Sequence, residues 1–298
     1  MKLTLKEQLV YLAMKQVSYK ARWHYIQLFQ ASDIVSLETC CARVALLIER
    51  GVLSEDERHI FHDMDDATLQ LCRQFARQAL MIGEVDYPRL WLEIPKPPLI
   101  IYYKGYLEVL QQPLVSIVGT RRISEYGKQM TQELTRAILA KGWGCVSGLA
   151  TGVDQIVHET AVDARQRSTV AIVPTGLERY YPETNRLLQQ ELGQRHLVLS
   201  EYLPMENARK HHFIMRNRLV AGLTPITLVM EAAMKSGSLI TANFALQYDR
   251  EVHALPGRID VLTSQGCNEL ISQGATPIAS IPQTIETLER HFLAQQFI

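Results

Sequence analysis

From Pro113 onward the chain alternates short, mostly continuous apolar runs with longer stretches in which apolar residues return every three or four positions. The runs are Leu114 to Val118, Trp143 to Val146, Thr169 to Val173, Leu197 to Leu199, Ile226 to Met230 and Val252 to Leu255. Unbroken apolarity over four or five residues is the pattern of strands covered on both faces, and the stretches between them carry helical spacing. The clearest helix runs from Ser124, a predicted N-cap, through Tyr126, Met130, Leu134 and Ile138 to Gly142, predicted to close it in the left-handed conformation. Such alternation predicts an α/β domain: a parallel sheet with right-handed crossovers and helices on both faces. Ligands of such sheets lie at the carboxyl ends of the strands.

Residues 1 to about 82 follow a different rule. Leu5, Leu9, Leu12 and Ala13 form one helical stripe, Trp23, Ile26, Leu28 and Phe29 a second, and Val44, Leu47 and Ile48 a third, while strand signals are few. Ser32-Asp33 and Ser54-Glu55-Asp56-Glu57 read as helix starts. The expectation is a small all-helical module with its aromatic residues in the core. The prolines between Asp86-Tyr87-Pro88 and Pro95-Lys96-Pro97-Pro98 break the helical pattern, which places a domain boundary there: 1–84 helical, 85–298 α/β. Leu99 to Tyr103 then reads as a strand leading into the second domain.

Composition narrows the function classes. A 298-residue chain that is 47% hydrophobic buries a substantial core, and its 31 basic and 31 acidic residues cancel, which excludes coating nucleic acid by bulk basicity. Charge is nevertheless segregated. Acid gathers in Glu55-Asp56-Glu57 and Asp63 to Asp66, and base in Arg121-Arg122 and in Arg209-Lys210-His211-His212 through Arg216 and Arg218. No stretch has the apolar length of a signal peptide or membrane helix, so a cytoplasmic protein with no membrane association is expected. Five cysteines without CxxC spacing support neither a disulfide framework nor zinc; they read as reduced thiols, with Cys145 in the core.

Three turns that follow predicted strands hold the candidate chemistry: Gly119-Thr120-Arg121-Arg122, Ser147-Gly148-Leu149-Ala150-Thr151-Gly152 and Ser236-Gly237-Ser238. Small residues there would leave backbone N–H groups at helix starts, where the dipole favours an anion. Gly119 departs from the GxGxxG dinucleotide pattern, and Arg121 offers a planar fork suited to phosphate, so a polynucleotide is favoured over a lone nucleotide and no cofactor is expected. Arg216 and Arg218, two apart with Asn217 between them, cannot share a helix face; one could reach a phosphate while the other braces the loop. Phe213 would stack on a base or pack internally. Asp154 and His158 lie four apart, as a metal or acid–base pair could, but no third ligand has suitable spacing and a structural role is preferred. Ser238 reads as the cap of the helix through Ile240 and Phe244. Glu231, in a phosphate cleft, would be a structural acceptor, a reader of base or sugar donors, or the remnant of a hydrolase. Leu270 and Ile271 are candidate dimer contacts.

Taken in order, IVGTRRISEYG (117–127), VSGLATGVDQIVH (146–158), GLERYYPETN (176–185), LSEYLP (199–204), RNRLVAGL (216–223), EAAMKSGSLITA (231–242), ALPG (254–257) and GCNELISQGA (266–275), with the lead-in at Asp86 to Leu90, resemble the DNA processing protein A (DprA/Smf) family. The resemblance implies an extended Rossmann-like fold behind a SAM or helix-hairpin-helix-like module. It further implies a non-enzymatic, dimeric binder of single-stranded DNA that protects incoming strands during natural transformation and loads the RecA recombinase. By the same resemblance DNA is contacted by Arg121 with Gly119, Thr120, Arg122 and Ser124, by Ser147, Gly148 and Gly152, by Lys210, Phe213, Arg216, Asn217 and Arg218, and by Ser236, Gly237 and Ser238. The winged helix that often follows the GA motif is expected to be absent after Gly274-Ala275. Thr151 stands where many members carry Lys or Arg, and Ile214 replaces a proline.

The rival reading is an enzyme. The layout also resembles nucleotide-processing hydrolases of the LOG (lysine-decarboxylase-like) type, with Glu231 as acid or nucleophile. Those show a PGGxGTxxE loop, whereas Lys235 to Thr241 here has no following carboxylate. A third reading is an interaction scaffold that retains the fold without binding DNA.

Overall fold

In the computed structural model, residues 1–29, 34–164 and 167–295 are described. The chain divides into two compact units, Met1–Tyr87 with Pro98–Tyr102, and Pro88–Pro97 with Tyr103 onward.

The first unit contains β1 (Lys2–Thr4), α1 (Leu5–Met14), α2 (Tyr19–Leu28), β2 (Ile34–Ser36), α3 (Leu37–Glu49), α4 (Asp66–Arg77), β3 (Ala79–Met81) and the start of β4 (Ile100–Gly105). Helices dominate, as expected, and the strand expected at Leu99 to Tyr103 is β4, but three short strands depart from the all-helical reading: β1 pairs antiparallel with β2, and β3 with β4. Three-residue strands carry too little alternation to be visible as a pattern. Thr4 caps α1 in a reciprocal box with Glu7, and Ser36 caps α3. The helix start expected at Ser32-Asp33 lies outside the described residues. The second stripe is also corrected: α2 buries Ala21 and Tyr25, whereas Trp23, Ile26, Leu28 and Phe29 are half-buried. The cause is polar. The Tyr25 hydroxyl donates to Gln8 Oε1 at 2.6 Å, Arg43 donates to the same oxygen at 3.1 Å, and Gln8 donates to the Leu3 carbonyl, so a buried hydrogen-bond knot draws that face inward.

The second unit carries the expected α/β alternation: the end of β4, then β5 (Leu114–Val118), α5 (Glu125–Ala140), β6 (Gly144–Ser147), α6 (Val153–Asp163), β7 (Thr169–Ile172), α7 (Arg186–Arg195), β8 (Leu197–Ser200), α8 (Lys210–Leu223), β9 (Ile226–Val229), α9 (Gly237–Gln247), β10 (Glu251–Ala254), α10 (Leu262–Ser272), β11 (Thr276–Pro277) and α11 (Ile281–Gln295). Seven strands run parallel in the order β11-β10-β9-β5-β6-β7-β8. The chain steps outward from β5 to β8, then returns to β5's other side with β9. This reversal makes the β5–β9 boundary the topological switch point of the sheet, where the crevice of such folds opens.

Strands β5 to β9 are buried along their whole length, which explains their mostly apolar sequences. One core packs Val115, Ile117, Leu134, Ile138, Val153, Val157 and Leu228 together, with Trp143 edge-on to Phe292 at 5.0 Å. Gly142 takes φ +76° and closes α5 as expected. All five cysteines are free thiols, and burial pushes Cys145 up to about 12, which keeps it protonated and inert. Among the described residues no helix is long and apolar enough to cross a membrane.

Two histidines of this unit are buried neutral. His158 on α6 shares a hydrogen bond with Thr169 Oγ1 at 2.9 Å, and His196 Nδ1 accepts the Ser168 amide at 3.2 Å. Neither Nε2 has a partner among the described residues. Burial, with neighbouring positive groups, lowers His158 to about 3 and His196 to about 4. The unfolded chain therefore binds protons that the native state refuses between those values and about 6.5. Stability is expected to be fully present above that range and to fall as pH drops through it, by up to about 1.4 kcal/mol per pH unit for each histidine. Denaturant midpoints between pH 7 and pH 4 check this, and His158→Gln should flatten the slope.

Candidate nucleic-acid interface

The turns after β5, β6 and β9 are distant in sequence, yet they close on one open cleft of about 370 Å³ at the switch point. Gly119 to Arg122 form one wall, Gly148 and Ala150 another and Ser236 to Ser238 a third, while Phe213, Arg216 and Asn217 of α8 form the floor. All three candidate turns are thus brought together.

The turn after β5 is held from across the boundary by Glu231. Its main-chain oxygen accepts the Thr120 amide at 2.7 Å, and its carboxylate accepts the Ser124 amide at 2.9 Å and the Ser124 hydroxyl at 2.6 Å. Ser124 Oγ in turn caps α5 by accepting the Gly127 amide. Glu231 is 3% exposed and does not line the cleft, which favours the structural acceptor among its three readings. The Thr120 carbonyl accepts the Val153 amide at 3.2 Å, tying this turn to the start of α6. At Gly152, φ is +81° and a Cβ would lie 2.3 Å from that same carbonyl, so only glycine fits. At Gly119 a Cβ would strike the Val153 side chain, so this glycine serves close packing of the turns.

The two arginines of α8 divide as their spacing requires. Arg218 is 4% exposed, donates to both Glu201 oxygens at 2.6 and 2.5 Å and to the Lys96 carbonyl, and braces the structure away from the cleft. Arg216 lines the cleft but is 5% exposed. Its guanidinium donates to the Gly148 carbonyl and to the Ile172 carbonyl at 2.7 Å, at the carboxyl ends of β6 and β7. Burial holds Arg216 below its ordinary range and Asp154 above its own, and the attraction between the two opposes both shifts. Arg216 therefore shares the cleft lining with Asp154, its terminal nitrogen serving the main chain and its Nε donating to Asn217 Oδ1 at 3.0 Å.

The charges free to meet a ligand are Arg121 and Arg122, both exposed. The Arg121 guanidinium lies 5.6 Å from the centre of the Phe213 ring, and Phe213 meets Tyr181 edge-on at 4.9 Å. Asn217 donates to the Gly237 carbonyl and positions the third turn. There Ser236, and not Ser238, caps α9, accepting the Leu239 amide, and Ser238 bonds Ser236 through its hydroxyl. The first amides of a helix have no acceptor within it, so the Gly237 and Ser238 N–H groups stand at the positive end of α9.

Other expected contacts take different places. Ser147 is fully buried and donates to the Ile117 carbonyl. The Thr120, Arg122 and Ala150 amides are engaged by Glu231, Thr120 and Asp154, so the first two turns offer few open N–H groups. Lys210 lies outside the cleft, in a neighbouring recess. Thr151 is half-buried and Ile214 lines the cleft. Leu270 is 6% exposed within its own unit and Ile271 is half-buried. Val118, Asp154, Val220, Ile240 and Thr241 also line the cleft; sequence reasoning gave Asp154 a structural role, placed Ile240 on the helix after the third turn and singled out none of the five as a contact. Among the described residues no three His, Cys, Asp or Glu side chains are grouped to hold a metal.

Known proteins resemble this chain in sequence and in fold. The sequence model of DNA recombination-mediator protein A matches residues 78–289. Protein Smf of Synechocystis is 40% identical over 71% of this chain and 54% of its own length. DNA processing protein DprA of Streptococcus pneumoniae is 38% identical over 80% of each chain. The X-ray structure of the pneumococcal protein superposes with a TM-score of 0.81 at 32% identity, covering 96% of this chain and 98% of that one. DNA processing protein A from Helicobacter pylori, described for its single-stranded DNA binding mode, superposes at 0.66 with 35% identity over 72% and 97%. An α/β sheet with its cleft at the switch point, together with these matches, shows that the chain belongs to the DNA processing protein A (DprA/Smf) family.

Proposed function

We propose that the cleft binds single-stranded DNA, with phosphates held by Arg121, Arg122 and the Gly237 and Ser238 amides, and with Phe213 as a stacking surface. The observation that carries this reading is the convergence of three distant turns on one open cleft whose exposed charges are guanidinium groups. Gly119, Thr120, Gly148, Gly152, Ser236 and Asn217 set its shape, and Arg216 braces its floor. Ser124, Ser147 and Arg218 act through the scaffold, and Lys210 acts beside the cleft. Such a site grips backbone and stacks bases with little sequence preference. In the same reading the protein is a cytoplasmic homodimer that makes and breaks no bond, protects incoming strands during natural transformation and hands them to the RecA recombinase. The Helicobacter pylori relative, described for single-stranded DNA binding, supports the ligand assignment.

Arg121→Glu reverses charge at an exposed turn. It is expected to weaken binding to single-stranded oligonucleotides about ten- to a hundredfold, to lower the salt slope by about 0.7, and to leave the unfolding midpoint in place. Fluorescence anisotropy at two ionic strengths measures both effects; unchanged affinity would refute the placement.

Glu231→Ala strands the Ser124 amide and hydroxyl and is expected to cost about 1–3 kcal/mol in denaturant unfolding. Wild-type protein incubated with nucleoside monophosphates is expected to release no free base. Release that vanishes in Glu231→Gln would instead establish the hydrolase.

A further inference from the structure

The cleft has the size and the place of a mononucleotide pocket. It encloses about 370 Å³ at the switch point, where sheets of this class hold nucleotides, and its walls are turns that enter helices. In such a pocket a phosphate rests on the free amides of the turn that opens a helix. Here that position is already filled. Asp154, on the first turn of α6, reaches back to the turn after β6: its Oδ2 accepts the Ala150 amide at 3.3 Å, and the Gly148 amide also donates to the carboxylate. The side chain is 7% exposed and lines the cleft. A Cβ placed at Gly148 would lie 2.4 Å from the guanidinium carbon of Arg216, so the turn rests against that charge, which attracts the carboxylate. Two amides with a guanidinium nearby are the partners a phosphate would take. A carboxylate of the chain itself takes them.

The first turn is occupied in the same way, because its Thr120 and Arg122 amides are bonded within the protein. The donors left to a ligand are the exposed Arg121 and Arg122 on one wall and the Gly237 and Ser238 amides on another. We infer that Asp154 sets the class of ligand the cleft admits: as a fixed anion at the turn after β6 it turns away nucleoside diphosphates, whose phosphates adjoin, and admits a strand, whose phosphates are spaced by sugars. The inference rests on the reading of the cleft as a single-stranded DNA site and adds the residue that keeps free nucleotides from competing for it. In a cleft this small, a diphosphate held at the third turn keeps its second charge within the lining that Asp154 shares, whereas a strand carries its next phosphate out along the rim. A like charge set against the wrong ligand discriminates strongly, since two anions in a partly buried site repel far more than they do in water.

Competition against a labelled oligonucleotide tests this on the full chain, with thymidine 5′-diphosphate and thymidine 3′,5′-bisphosphate as the competitors. The two share base, sugar and number of phosphates, and differ in whether the phosphates adjoin. Wild-type protein is expected to bind the bisphosphate about tenfold or more tightly than the diphosphate. Asp154→Asn keeps the size and the acceptor for the Ala150 amide but lacks the charge, and Asp154→Ala frees both amides. Each is expected to gain about tenfold in diphosphate affinity while bisphosphate affinity moves less. A side chain that serves only the scaffold would weaken both competitors together, which overturns the inference. So does a wild-type protein without preference, a diphosphate affinity unchanged in both variants, or loss of the fold in both, read from the denaturant midpoint. Each of these outcomes leaves the cleft reading intact as long as the oligonucleotide binds wild-type protein; absence of that binding removes both.

Discussion

The turn that presents Arg121 and Arg122 is held by a residue that belongs to another strand. Glu231 follows β9, and through its carbonyl and both carboxylate oxygens it fixes the Thr120 amide and Ser124, hence the entrance to α5. A parallel sheet joined at its switch point leaves a gap between the loops of β5 and β9. Glu231 bridges that gap from below, so the two loops keep their spacing whatever lies above them. A buried carboxylate is tolerated here because hydrogen-bond donors surround it. Without that bridge the arginines would ride on a turn tied to the start of α6 but loose at the entrance to α5.

Charge on α8 is arranged in the same spirit. Arg218 is neutralised by Glu201 and fastens the helix to the Pro88–Pro97 segment of its own unit, whereas Arg216 is inserted among carbonyl oxygens at the strand ends. Carbonyl dipoles stabilise the guanidinium and Asp154, which also lines the cleft, attracts it, so the positive charge offered to a ligand comes from the exposed Arg121 and Arg122 in a protein whose total charge is zero. Local placement, not composition, creates the basic surface.

Much of this was legible in the chain. Mostly apolar runs located β5 to β10 to within a residue or so, because strands buried on both faces carry few polar positions, such as Ser116 and Thr227, to confuse the pattern. The convergence of the three turns followed from their places after parallel strands. Less visible were the three-residue strands β1, β2 and β3, which cannot display a period, and the inward face of α2, which depends on Gln8 and Arg43 from elsewhere in the fold. Within the cleft, small residues predicted open amides. The structure uses Gly119 and Gly152 to let turns press together, and their neighbours' amides are consumed in doing so. Sequence identifies a residue type that permits close approach; it does not say whether a ligand or another loop makes the approach.

That internal satisfaction has a thermodynamic consequence. With the Thr120, Arg122 and Ala150 amides already bonded, and with Glu231, Arg216 and Arg218 locked below, docking leaves the backbone of these turns little to organise. The parts left to settle are long side chains such as Arg121 and Arg122. Selectivity among strands is then decided by rotamer entropy at the lip, a quantity that shifts gently with each added contact, and not by any remodelling of the sheet.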